Sequence, residues 1–152
     1  MFATSEATPR DVAIQLLARR EYSRAELARK LHQKSFDDDD ITACLDELIE
    51  QDVQSDARMA ESFVRSRIAR GQGVIRIRGE LRQRGVDQGT VTEALAAVAE
   101  CESVDWFELA RDTLARRFSS SGDSPKERAK RERFLAARGF DFEQIRYALS
   151  CL

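Results

Sequence analysis

The chain has 152 residues and a formal net charge of −2; 34% of it is Asp, Glu, Lys or Arg, against seven Gly and two Pro, a balance that favours water-exposed helices over strands. A compact fold of this length buries roughly 68–70% of its unfolded surface, so no disulfide or metal is needed to hold it, and three widely separated cysteines with a single histidine leave little for a disulfide framework, a zinc site or histidine-based catalysis. No apolar run approaches the ~20 residues that span a bilayer, and the opening MFATSEATPRD is polar and unlike a signal peptide, so a cytoplasmic protein with reduced thiols is expected.

Thr8-Pro9-Arg10-Asp11 combines an N-cap, proline at the first helical position and an early acid, and predicts a helix that ends near Glu21. Ser23 to Glu26 is a capping box for a second helix with Leu27 and Leu31 inward. A third runs from Asp38 to about Gln51 with Ile41, Cys44, Leu45, Leu48 and Ile49 on one face. The acids at 37–40 lack the spacing of a calcium loop and suit the first turn of a helix.

The join between the second and third helices recurs. Leu31-x-x-Lys34-Ser35-Phe36-Asp37-x3-Ile41-x3-Leu45 returns as Leu81-x-x-Arg84-Gly85-Val86-Asp87-x3-Val91-x3-Leu95, and again as Leu135-x-x-Arg138-Gly139-Phe140-Asp141-x3-Ile145-x3-Leu149. This internal repeat predicts an all-α protein of three tandem three-helix units, 1–54, 55–102 and 103–152, forming an elongated curved array. Gly85 and Gly139 suit the left-handed position after a helix, which Ser35 adopts at greater cost. Asp37, Asp87 and Asp141 are expected to cap the next helix, and Phe36/Ile41, Val86/Val91 and Phe140/Ile145 to staple it. A helix from about Ser55 to Arg70 is broken by Gly71-Gln72-Gly73 and followed by others over 74–84 and 89–99. In the last unit, 105–118 and a helix opened by Ser124-Pro125 flank the polar loop 119–124.

Charge is unevenly distributed. Residues 1–57 hold seven basic and thirteen acidic side chains, whereas 58–84 hold eight arginines and two acids, Glu61 and Glu80. Arg20, Arg67 and Arg117 occupy equivalent places within apolar stripes and are read as structural. Arg65, Arg70, Arg76, Arg78, Arg82 and Arg84 fall outside the stripes with few acids at i±3 or i±4. Such a field attracts a polyanion or an acidic protein surface, and these six, with Lys30 and Lys34 from the first unit, are the candidate partner-binding residues. Gly71-x-Gly73-x5-Gly79 fits no phosphate-loop pattern. The helix-turn-helix likeness of each unit makes a stand-alone nucleic-acid-binding module the alternative, although GTVTEALAAVAE would make a poor recognition helix.

The three-fold unit, and above all ESFVRSRIARGQGVIRIRGELRQRGVD, resembles the RecX family of bacterial recombination regulators, with Val74 where that family is expected to carry proline. The resemblance spans essentially the whole chain. It implies a non-enzymatic, monomeric protein without cofactor or metal that binds the groove of the RecA recombinase filament. There it would block extension or promote disassembly, lowering strand exchange, ATP hydrolysis and co-protease activity. Contact with single- or double-stranded DNA is implied too.

Overall fold

The computed structural model describes residues 7–120 and 122–152. The start of the opening segment, residues 1–6, read above as unlike a signal peptide, and Ser121 of the polar loop lie outside the described residues. The described residues form nine helices and no strand: α1 (Pro9–Leu17), α2 (Arg24–Gln33), α3 (Asp38–Glu50), α4 (Asp56–Ala69), α5 (Val74–Gln83), α6 (Gln88–Cys101), α7 (Trp106–Arg117), α8 (Pro125–Ala137) and α9 (Phe142–Ser150). They fall into three successive triplets. The first helix ends at Leu17 rather than near Glu21, its last amide bonds being spent in the turn 18–20.

Local chemistry sets these boundaries. Thr8 and Asp11 form a reciprocal capping box, as do Ser23 and Glu26, and as Asp141 does with Gln144. Asp87 accepts from the Thr90 amide. Asp37 departs from expectation: its carboxylate makes no cap bond, and α3 instead opens with Asp38, Asp39 and Asp40 set against the positive end of its dipole. Ser35, Gly85 and Gly139 all take the left-handed conformation, with φ of 68°, 81° and 97°. After each of them the next amide reaches back five residues, from Phe36 to Leu31, Val86 to Leu81 and Phe140 to Leu135.

Each triplet closes its own apolar core. Ala13, Leu27, Leu31, Leu45 and Leu48 fill the first; Ala60, Val64, Ile77, Leu81 and Val98 the second; Ala110, Leu114, Leu135 and Ala148 the third. Trp106 at the head of α7 packs on the second core and so ties units two and three together.

The middle helices of the three units stack end to end. At the first joint the Ser23 hydroxyl donates to the Arg84 carbonyl at 2.6 Å, so α5 ends against the start of α2. At the second the Gly73 and Ile75 amides donate to the carbonyls of Arg138 and Gly139, so α8 ends against the start of α5. Helix ends that would otherwise need water satisfy one another, the end of α8 meeting the start of α5 and the end of α5 meeting the start of α2. Helix α5 begins at Val74 without proline, its N-terminal amides being held by the neighbouring unit.

The joints also explain the glycines. A Cβ on Gly85 would sit 2.3 Å from the Ala25 Cβ, and one on Gly139 would sit 2.4 Å from the Arg76 Cβ and 2.6 Å from its backbone nitrogen. Ser35 closes α2 at the end of the stack where no other described unit packs against it, and there a side chain is tolerated.

Candidate functional site

The arginines of α4 and α5 sort into three groups. Arg65 and Arg76 are engaged with carboxylates: Arg65 meets Glu102 at 3.0 Å and Glu61 at 3.5 Å, while Arg76 meets Glu80 at 3.7 Å and donates to the Ala137 carbonyl at the end of α8. Arg78 and Arg82 lie on one flank of the buried Ile77/Leu81 stripe and line a small depression of about 90 Å³ with Val86, Gln88 and Val91. At about 100° per residue this flank faces away from that of Arg76 and Arg84. Arg78 bonds the Thr92 hydroxyl, and neither it nor Arg82 has a carboxylate partner among the described residues.

Arg70 and Arg84 belong to the third group, with Arg67 and Arg20. These four line a cleft of about 280 Å³ between the first two units, together with Phe63 and Ser66. The Arg67 and Arg84 guanidiniums lie over the Phe63 ring at 4.4 and 4.7 Å from its centroid, within cation–π range. Arg20 covers the Tyr22 ring at 3.6 Å and donates to the Glu21 carbonyl. A second cleft of about 240 Å³ opens against the third unit, lined by Arg70, Arg116, Arg117, Arg138, Thr113 and Phe134 and by no acid. Arg70 borders both, so the two clefts meet at its side chain.

Arg67 is the most enclosed of the group, with its side chain 13% exposed and its Nε buried without a hydrogen-bond partner. Burial lowers its pKa; Glu80, 3.5 Å away, opposes this, while the charges of Arg70, Arg84 and Arg76 add to it. Arg67 is packed as the structural reading expects, whereas Arg20 lies beyond the end of α1 with its side chain 44% exposed, and both line the cleft. Arg117 is likewise exposed, touches the Phe118 ring and borders the second cleft.

Glu26 is the acidic counterpart at the first joint. It accepts from the Ser23 amide, from Arg20 at 3.2 Å and from Arg84 at 2.8 Å, with its side chain 8% exposed. Burial alone would raise its pKa, but the Ser23 amide and the two guanidiniums outweigh it and hold the carboxyl below its ordinary value of 4.5. A carboxylate depressed in this way stabilises the fold above its ordinary pKa, and that contribution is lost as pH falls through the folded value. Glu26→Gln should therefore cost about 2 kcal/mol at pH 7, with the gap in urea midpoint between the two proteins closing toward pH 3. An equal gap at both pH values would assign the effect to packing.

Lys30 and Lys34 are exposed near the C-terminus of α2, Lys30 in a separate shallow depression with Glu26, Arg29 and Gln33. The structure thus draws Arg70 and Arg84 together, sets Arg78 and Arg82 apart, and gives Arg65 and Arg76 internal partners. Arg116 and Arg138 line the second cleft but are not among the candidates that the charge pattern singles out. The repeat does carry the signal, since Arg19-Arg20 corresponds to Arg116-Arg117 and Arg84 to Arg138. The exposed side of α6 presents Thr92, Glu93, Ala96, Ala97 and Glu100, a surface ill-suited to reading bases. No group of three or more potential metal ligands occurs among the described residues, and none of their helices is long and apolar enough to cross a membrane.

Three family models match the chain: RecX, first three-helix domain, over residues 10–48; RecX, second three-helix domain, over 55–95; and RecX, third three-helix domain, over 103–149. A protein named Regulatory protein RecX from Chromohalobacter salexigens is 57% identical over 148 residues, covering 97% of this chain and 95% of its own. Another of that name from Halorhodospira halophila is 45% identical, covering 96% and 88%. The crystal structure of RecX from Lactobacillus salivarius superposes with a TM-score of 0.76 at 23% identity over 95% of this chain and 96% of that one, a likeness of fold. Through all three repeats and nearly its full length, this chain belongs to the RecX family of regulatory proteins.

Proposed function

We propose that this protein binds the RecA recombinase filament in the cytoplasm, as a monomer, and limits filament extension, with loss of strand exchange, ATP hydrolysis and co-protease activity. Family membership supports a regulatory role. The observation that carries the contact surface is the pair of arginine clefts joined at Arg70, one of them free of any acidic lining. A positive groove of this kind fits an acidic protein surface or the phosphates of a nucleoprotein filament, and it acts by occupancy rather than chemistry.

Within this reading Arg70, Arg116, Arg117 and Arg138 make the principal contact, and Arg78 and Arg82 offer a second on the other flank of α5. Arg65, Arg76 and Arg84 support the field while committed to Glu102, Glu80 and Glu26. Lys30 and Lys34 extend it into the first unit. Direct DNA contact accompanies the filament contact.

The test is RecA ATPase on single-stranded DNA with this protein added well below one per RecA. Strong inhibition at a small ratio is expected. Absence of inhibition at any ratio, combined with tight and steeply salt-dependent binding to naked DNA, would replace the proposal with a stand-alone nucleic-acid-binding module.

A further inference from the structure

We infer that the cleft between the first two units is a binding site for a phosphate monoester in its dianionic form. The inference goes beyond the filament reading and does not depend on it.

Charge balance comes first. Four guanidiniums, those of Arg20, Arg67, Arg70 and Arg84, border the cleft, and the carboxylates they meet are two, Glu26 and Glu80. The one acid in the lining, Glu21, is taken by Arg58 at 2.6 Å. Two positive charges are left over in a space of about 280 Å³, many times the ~30 Å³ share of one water. At Arg67 burial first, and after it the charges of Arg70, Arg84 and Arg76, oppose the charged form, with Glu80 favouring it.

Donor geometry comes second. Ser62 and Ser66 stand one turn apart on α4 and both line the cleft. The Arg67 Nε is buried and turned to the Glu80 carboxylate at 3.5 Å, and the Arg67 and Arg84 guanidiniums lie over the Phe63 ring at 4.4 and 4.7 Å from its centroid. Planar forks and hydroxyls together suit a tetrahedral oxyanion with several acceptor oxygens.

The excess of two charges selects among oxyanions. A carboxylate or an internal phosphodiester brings one negative charge, whereas a phosphate monoester brings roughly 1.5 to 2 at pH 7, its second pKa being about 6. The monoester could belong to a small molecule or to the end of a nucleic-acid strand, and the two sources are separable by experiment.

The probe is inorganic phosphate, read by thermal melting of the full chain at pH 7.5 against chloride at equal ionic strength. For a millimolar site, phosphate at about twentyfold Kd should raise the melting temperature by about 4 °C. Dimethyl phosphate should raise it by less than a third of that, and the phosphate shift should fade below about pH 6 as the dianion protonates. Arg70→Ala, which removes an exposed side chain with no carboxylate partner among the described residues, should abolish the shift, while Arg78→Ala keeps it. A shift shared equally by dimethyl phosphate, or retained in Arg70→Ala, overturns the inference, as does no shift at all.

An oligonucleotide with a 5′-phosphate that binds more tightly than its 5′-hydroxyl twin would place the ligand at strand ends. Equal binding of the two, with the inorganic phosphate shift intact, would assign it to small phosphate compounds. No readout involves RecA, so this site and the filament reading stand or fall separately.

Discussion

Replacing Arg70, Arg116 and Arg117 together by glutamate should raise the concentration needed for half-inhibition of RecA ATPase by about a hundredfold, with helicity and melting unchanged. The three lie on the borders of the two clefts, all exposed, and no carboxylate partner for them is found among the described residues. Exposed substitutions without such partners usually alter stability by less than about 0.5 kcal/mol. At the partner, each reversal replaces an attraction with a repulsion, and close interfacial charges couple by about 1.5 kcal/mol or more. A hundredfold loss, about 2.7 kcal/mol, is a conservative total for three such changes. Arg78→Glu with Arg82→Glu serves as the comparison on the other flank of α5. A folded triple variant that inhibits at the wild-type concentration would falsify the groove assignment, and a loss confined to the Arg78/Arg82 pair would move the contact to that flank.

The sequence makes the helices legible because their signals are local. Capping boxes at Thr8 and Ser23, the turn after Leu81 and the staple residues around it all act within about six positions, and their recurrence identifies the three-unit array. The partition of the arginines is not local. Arg84 meets Glu26 58 positions away, and Arg65 meets Glu102 37 positions away, so a tally of acids at i±3 and i±4 overstates how many guanidiniums lack a partner. The same blindness runs the other way. Arg116 and Arg138 lie outside the acid-poor stretch 58–84, and their place beside Arg70 follows only from how the third unit docks on the second. Asp37 shows a smaller limit: the repeat marks a cap position, but three more aspartates follow it at once, and the dipole at the start of α3 is already answered.

The docking that places Arg70 beside Arg138 rests on the glycines at the joints, and one substitution there should have the largest effect on stability. Gly139→Ala forces a left-handed conformation on an L-residue, which costs about 1–2 kcal/mol, and its Cβ would lie 2.4 Å from the Arg76 Cβ and 2.6 Å from the Arg76 nitrogen. Relieving that overlap moves α8 away from α5 and strains the Gly73 and Ile75 amide bonds to Arg138 and Gly139, adding about 1–3 kcal/mol. The expected loss is about 3–4 kcal/mol. Because units in such arrays are stabilised through their neighbours, a weakened second joint should also split the urea transition, the third unit unfolding ahead of the first two. Ser35→Gly isolates the conformational part: the same left-handed position, with no other described unit packed against it, should gain about 1 kcal/mol. Gly85→Ala, whose Cβ would meet Ala25 at 2.3 Å, should behave like Gly139→Ala but uncouple the first unit instead. If Gly139→Ala cost no more than the reverse of the Ser35→Gly gain, backbone conformation alone would account for it, and the close end-to-end packing of α8 on α5 would have to be abandoned.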